Sequence, residues 1–185
     1  MAVLTKRQNE YTILNGGNSK INNIDLYNFA TKVLEPICER NFVYGGIKAK
    51  VKTKASTGRG GSDFHRAAFK VTATSLSDGS KETFSVLCKM YKEDSVTDEV
   101  TIDYQCLMGG YYKYIATIIA GTIYYLRMDD IYAYQEMMGN ACVTPNGQFI
   151  RVNAEYFIDY AEYRTELNAA DKAEYERGYE RYVAR

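Results

Sequence analysis

From Ile47 to Lys54 the sequence reads Ile-Lys-Ala-Lys-Val-Lys-Thr-Lys, a strict two-residue alternation that can segregate its polar groups only as a β-strand. A helix would scatter these lysines around its axis. The strand puts Lys48, Lys50, Lys52 and Lys54 on one face and small or apolar residues on the other. Gly45-Gly46 turns the chain into this strand, and a glycine-rich loop, Ser56 to Ser62, leads out of it. Two further strand-like runs follow: roughly 64–75, with Phe69, Val71 and Ala73 on one face, and 82–90, with Phe84, Val86, Cys88 and Met90. Asp78-Gly79 between them predicts a hairpin. Ala120-Gly121 predicts a second, between Tyr111–Ile119 and Thr122–Arg127, both rich in β-branched and aromatic residues. Pro145-Asn146-Gly147 predicts a third, between 141–144 and 148–152.

Helical spacing appears in four places. Leu26, Ala30, Val33, Leu34 and Ile37 form one apolar stripe after a cap at Asn22 or Asn23. Pro36 falls inside it, so this helix must kink or restart with the proline in its first turn. Asp129 and Asp130 favour a helix N-terminus ahead of Ile131–Met138, which Gly139 ends. Asn153 caps a helix predicted to carry Tyr156, Tyr160, Tyr163 and Leu167, and a last helix carries Tyr175, Tyr179 and Tyr182. Residues 93–110 are acidic, end in Gly109-Gly110 and predict no element. The expected class is α+β: a largely antiparallel sheet of about five to seven strands with one N-terminal helix and two C-terminal helices. Residues 1–20 read as a flexible arm, 21–152 as the core domain, and 153–185 as helices packed on that core or on a partner.

With 46% hydrophobic and 25% charged residues in 185, the chain has the material for a core that needs no disulfide or metal. Cys38, Cys88, Cys106 and Cys142 stand far apart and form no zinc pattern, so they read as buried thiols in a reducing compartment. His65 is the single histidine, which excludes mechanisms needing two imidazoles. No Walker A, GxGxxG or nucleophile-elbow pattern is present, and no cofactor or metal is implied. Without a leader pattern or a long apolar run, the expected location is the host cytosol and no membrane partner is expected.

Charge and tyrosine carry the functional signal. The net charge of zero hides two blocks: Lys48 to Lys81 holds eight basic residues against Asp63 and Asp78, and Glu93 to Glu136 holds eight acids against Lys113 and Arg127. The molecule should therefore carry a basic face and an acidic one. Eighteen tyrosines and no tryptophan favour surfaces buried on binding, since tyrosine joins an apolar ring to a polar tip.

The lysine strand, with Arg59 in its glycine-rich loop and Arg66 and Lys70 beyond, forms a candidate phosphate-binding surface, because lysines about 7 Å apart along one face suit a row of phosphates. The alternative is edge protection, in which lysines keep a sheet edge from pairing with other chains. Glu93, Asp94, Asp98, Glu99 and Asp103 lack calcium-loop spacing; they read as a solvated loop or, with Tyr104 and Tyr111, as a mimic of nucleic-acid charge. Tyr175, Tyr179 and Tyr182 share a helical face that would meet the chain's own sheet, a partner or a second copy in a homodimer.

The order helix, strand, Asp63, strand, strand, then Tyr111–Arg127 and a capped helix resembles the PD-(D/E)XK restriction-endonuclease-like nucleases over roughly residues 24–135. That resemblance implies two carboxylates holding Mg²⁺ and a lysine orienting the attacking water. Asp63 and Lys70 match the pattern, while Ala68 stands where the second carboxylate belongs, so it implies an inactive relative. In size, tyrosine content and charge blocks the chain also resembles small accessory proteins of phages and mobile elements, anti-CRISPR inhibitors among them. The expected function is that of a non-catalytic interaction protein engaging nucleic acid or a nucleic-acid-handling enzyme, such as a host defence nuclease. A Mg²⁺-dependent nuclease is the alternative.

Overall fold

In a computed structural model, which describes residues 25, 28–42, 47–52 (by their backbone), 67–91, 99–104, 106, 110, 112–145, 147 and 149–183, Pro36 shapes the first helical segment. Ala30–Leu34 forms a π-helical turn, closed by the Glu35 N–H donating to the Ala30 carbonyl, and runs into helix α1, Glu35–Arg40. Proline has no N–H to donate to the preceding turn, so the wider turn carries the chain to a restart with Pro36 in the first turn of α1. That is one of the two outcomes expected of it.

Strands β1 (Ile47–Lys52), β2 (Ala68–Ser75) and β3 (Lys81–Cys88) form an antiparallel meander. Asp78 holds the β2–β3 turn by accepting from the Ser80 N–H at 3.0 Å. The acidic stretch, expected to hold no element, contains β4 (Glu99–Asp103). β5 (Tyr112–Ile119) and β6 (Thr122–Arg127) are joined by Ala120 (φ 49°) and Gly121 (φ 78°), consecutive left-handed residues that suit the twist of a two-residue hairpin.

Two further expectations change. The third hairpin is reduced to a single bridge, Val143 to Ile150, because a 3₁₀ turn, Gly139–Cys142, occupies half of its first arm. Its second arm, β7 (Phe149–Asn153), pairs instead with β4 in a two-stranded sheet. With α2 spanning Met128–Met138, the helix capped by Asn153 is α3 (Ala154–Tyr160), and it stops before Tyr163. Tyr163–Glu166 is strand β8, which covers the open edge of β6. There the gain of a backbone ladder overrides the helical spacing of the tyrosines. With α4 (Ala169–Tyr182) the described residues hold four helices, one at each of the four helical spacings in the sequence, whereas the expected class counted only one N-terminal and two C-terminal helices. The six-stranded sheet has the order β1-β2-β3-β5-β6-β8, antiparallel except where β3 runs parallel to β5. No helix among the described residues is long and apolar enough to cross a membrane.

Each face of the large sheet buries its own core. On the first face Phe69, Val71, Phe84, Val86, Tyr114 and Tyr125 meet Phe29, Leu34 and Ile37 of the N-terminal helical segment. On the second, Ala68, Leu87, Ile115 and Leu126 meet a layer built from β4, β7, α2 and α3. A fully buried Phe, Ile or Leu contributes about 1.5–3 kcal/mol, so these two clusters are the main source of stability.

α4 closes the first face as a strap across the N-terminal segment. Asn168 caps it by accepting from the Asp171 N–H. Arg40 donates Nε–H and Nη2–H to Asp171 Oδ1 at 2.9 and 2.6 Å and also pairs with Glu174, while Asn41 donates to Asp171 Oδ2 at 2.8 Å. These bonds hold the nearly buried Asp171 carboxyl below its usual range, the Arg40 contact contributing most.

Candidate nucleic-acid interface

The second layer ends at Ala68 and Leu87, and among the described residues no element of it extends over the face of β2 and β3 beyond them. Paired residues on antiparallel strands lie on the same face. The register therefore arranges nine positions in three ranks: Lys52, Lys70 and Ser85; Lys50, Thr72 and Thr83; Lys48, Thr74 and Lys81. Neighbours within a rank are about 4.8 Å apart and successive ranks about 7 Å apart. Lys70, Lys81 and Thr83 are exposed, and Thr72, Thr74 and Ser85 are half-buried. The Thr72 and Thr83 hydroxyls face each other at 3.4 Å. The opposite parity, Phe69, Val71, Ala73, Phe84 and Val86, is buried against the helices, and this burial fixes the register.

Five of the nine positions are lysine, and the other four are hydroxyl residues. None is acidic. Among the described residues no carboxylate pairs with Lys70 or Lys81. Glu82 has the other parity, where it pairs with Lys113 at 2.6 Å. Of the basic residues singled out in the sequence, Lys48, Lys50 and Lys52 lie on β1 and Lys70 on β2, while Lys54, Arg59 and Arg66, like Asp63 and His65, lie outside the described residues. Lys81 is missing from that sequence-predicted set. The signal for it is the alternation Lys81, Thr83, Ser85, which matches Lys70, Thr72, Thr74 once the Asp78-Gly79 turn fixes the pairing.

The tyrosine stripe of α4 lies elsewhere. Tyr182 is buried in the first core, and Tyr175 and Tyr179 meet the Phe29 ring edge-on at 5.5 and 5.9 Å. Gly178 lets α4 approach closely: a Cβ there would stand 2.6 Å from both methyl groups of Val33. Among the described residues the stripe packs on the N-terminal helical segment, a surface not among the three expected for it.

Little else among the described residues offers chemistry. Among the described residues no three His, Cys, Asp or Glu side chains gather to hold a metal ion. The four cysteines are free and buried, and burial pushes the Cys88 and Cys142 thiols up, away from the reactive thiolate. Ala68 is fully buried in the second core. Glu99 and Asp103 lie on β4, with Glu99 3.9 Å from Arg151, and Asp130 pairs with Arg127 at 3.0 Å. One feature carries no sequence signal. Glu35, at the start of α1, is only 7% exposed, and burial raises its carboxyl to about 7 even though the Ala68 N–H donates to it. Four residues on, burial also raises Glu39, whose Oε1 has no hydrogen-bond partner among the described residues.

No protein-family model, curated protein or solved structure matches this chain.

Proposed function

We propose that this protein is a non-catalytic nucleic-acid-binding protein that holds backbone phosphates on the open face of β1, β2 and β3. The observation that carries this reading is the position of Lys70. Edge protection accounts for lysines on β1, the outermost strand, and for Lys81, because β5 pairs with β3 only from Ser85 onward, but Lys70 lies on β2, whose backbone is paired on both sides, with Lys52 of β1 and Ser85 of β3. Moreover, Lys52 and Lys70 stand directly opposite, a like-charge pair that destabilises a sheet. A polyanion across the face offsets that repulsion. Threonine and serine hydroxyls between the lysines add the neutral donors common in phosphate contacts.

The test is fluorescence anisotropy with labelled oligonucleotides between about 50 and 200 mM salt. The double variant Lys70→Thr/Lys81→Thr keeps strand-forming residues on an exposed face, so its melting temperature should stay close to that of the parent. It should bind more weakly, with a log-log salt dependence shallower by about 1 per lysine removed. Added Mg²⁺ should leave the probe intact, since the protein is read as a binder and not a nuclease. Identical affinity and identical slope in the variant would refute the reading. Co-purification with a nucleic-acid-handling enzyme, lost in the same variant and without any nucleic acid bound, would transfer the face to that enzyme.

A further inference from the structure

Resting on that reading, we infer that the ligand of this face is a double helix, bound through its phosphates without regard to sequence. Proteins that bind single strands combine a basic groove with aromatic side chains on which the bases stack, each base contributing about 1–3 kcal/mol. The nine face positions hold no aromatic residue. They hold no arginine, asparagine or glutamine either, the side chains that read base edges in pairs of hydrogen bonds.

The placement of long and short side chains points the same way. Lysine occupies all three β1 positions, one position of β2 and one of β3, while the middle of the face, Thr72, and the rest of β2 and β3 carry only short hydroxyl groups. Short side chains on a sheet cannot reach a groove floor about 8 Å deep. What remains is charge. A duplex offers one phosphate per about 1.7 Å of axis, a single strand about half that density, so a face that binds by charge alone favours the duplex. DNA and RNA duplexes share this chemistry, and the experiment separates them.

The probes are a 20-base-pair DNA duplex, an RNA duplex of the same sequence, a DNA duplex of shuffled sequence, and a 20-nucleotide oligo-thymidine strand, all at one salt concentration. The two DNA duplexes should bind within about twofold of each other, and at least one duplex type should bind about tenfold or more tightly than oligo-thymidine. The gap should shrink in Lys70→Thr/Lys81→Thr. Oligo-thymidine binding as tightly as the duplexes would overturn the inference and leave the nucleic-acid reading standing. A strong preference between the two DNA sequences would do the same. If no probe binds, both fall.

Discussion

Glu35 gives a quantitative test of the packing between α1 and β2. Its carboxyl lies between the helix and the start of β2, accepts from the Ala68 N–H, and interacts with Glu39 and Cys88, neither of them a cation. Burial is the largest effect on it, followed by the Ala68 hydrogen bond, which opposes it, and the Glu39 charge, which adds to it. The carboxyl is thereby raised from the ordinary 4.5 to about 7. In the window between these values the folded state holds a proton that the unfolded state has released. Stability must therefore fall as pH rises from about 4.5 to 7 and level off above. At about 1.36 kcal/mol per pH unit the loss is at most about 3 kcal/mol. Glu35→Gln removes the charge and keeps the acceptor for Ala68. It should leave stability near pH 4.5 almost unchanged and raise the melting temperature at pH 8, by up to about 6–12 °C for a chain of this size. Thermal melts of both proteins from about pH 4 to 8 decide the matter. The informative quantity is the difference between them, because Asp171 contributes a change of the opposite sign at lower pH that both proteins share. A Glu35→Gln variant no more stable than the parent at this upper pH would show that the carboxylate is well solvated and the reasoning wrong.

Gly178→Ala places a methyl group within 2.6 Å of the Val33 side chain and should cost about 1–3 kcal/mol in a denaturant titration; combining it with Val33→Ala should recover much of that loss, and failure to do so would mean that α4 is seated differently. Truncation after Asn168 removes Tyr182 from the core and the partner of Arg40, so it should lower the melting temperature markedly without changing the oligomeric state seen by light scattering; a change of assembly with stability retained would return the tyrosine stripe to an intermolecular role.

The parts of this fold legible in the sequence are those fixed by neighbours. Asp78-Gly79 and Ala120-Gly121 specify their turns within four residues, and the alternations on either side settle which residues are buried. β4 is not legible for the opposite reason: its partner β7 lies about fifty residues away, and Val100 and Ile102 are too few to stand out within an acidic stretch. Tyr163 misleads because tyrosines at 156, 160 and 163 fit a helix as well as they fit a helix that ends and a strand that begins. The backbone does settle it, since Glu162 donates its N–H to the Tyr125 carbonyl and so starts a ladder that no local pattern announces. For the candidate site, the β1 lysines are visible at once. Lys81 is not, because its place beside Lys48 depends on two successive registers, Lys48 with Thr74 and Thr74 with Lys81.

The charge blocks of the sequence acquire a geometry from the sheet. β4 and α2, which carry Glu99, Asp103, Asp129, Asp130 and Glu136, belong to the layer covering the other half of the same face that presents the lysine ranks. A polyanion approaching this side meets repulsion on one half and attraction on the other. With a screening length of about 8 Å at physiological salt, that contrast is felt only near contact, so for the proposed duplex ligand it would govern where the duplex rests more than how fast it arrives. On the proposed reading the acidic layer and the basic ranks would act together: the first would confine the footprint to three strands, and the second would supply the five lysines of the ranks within it. If the protein binds nucleic acid as proposed, neutralising the acids should widen the footprint without adding any specific contact, because a chain with no net charge then bounds its site by segregating its charges and not by a diffuse attraction.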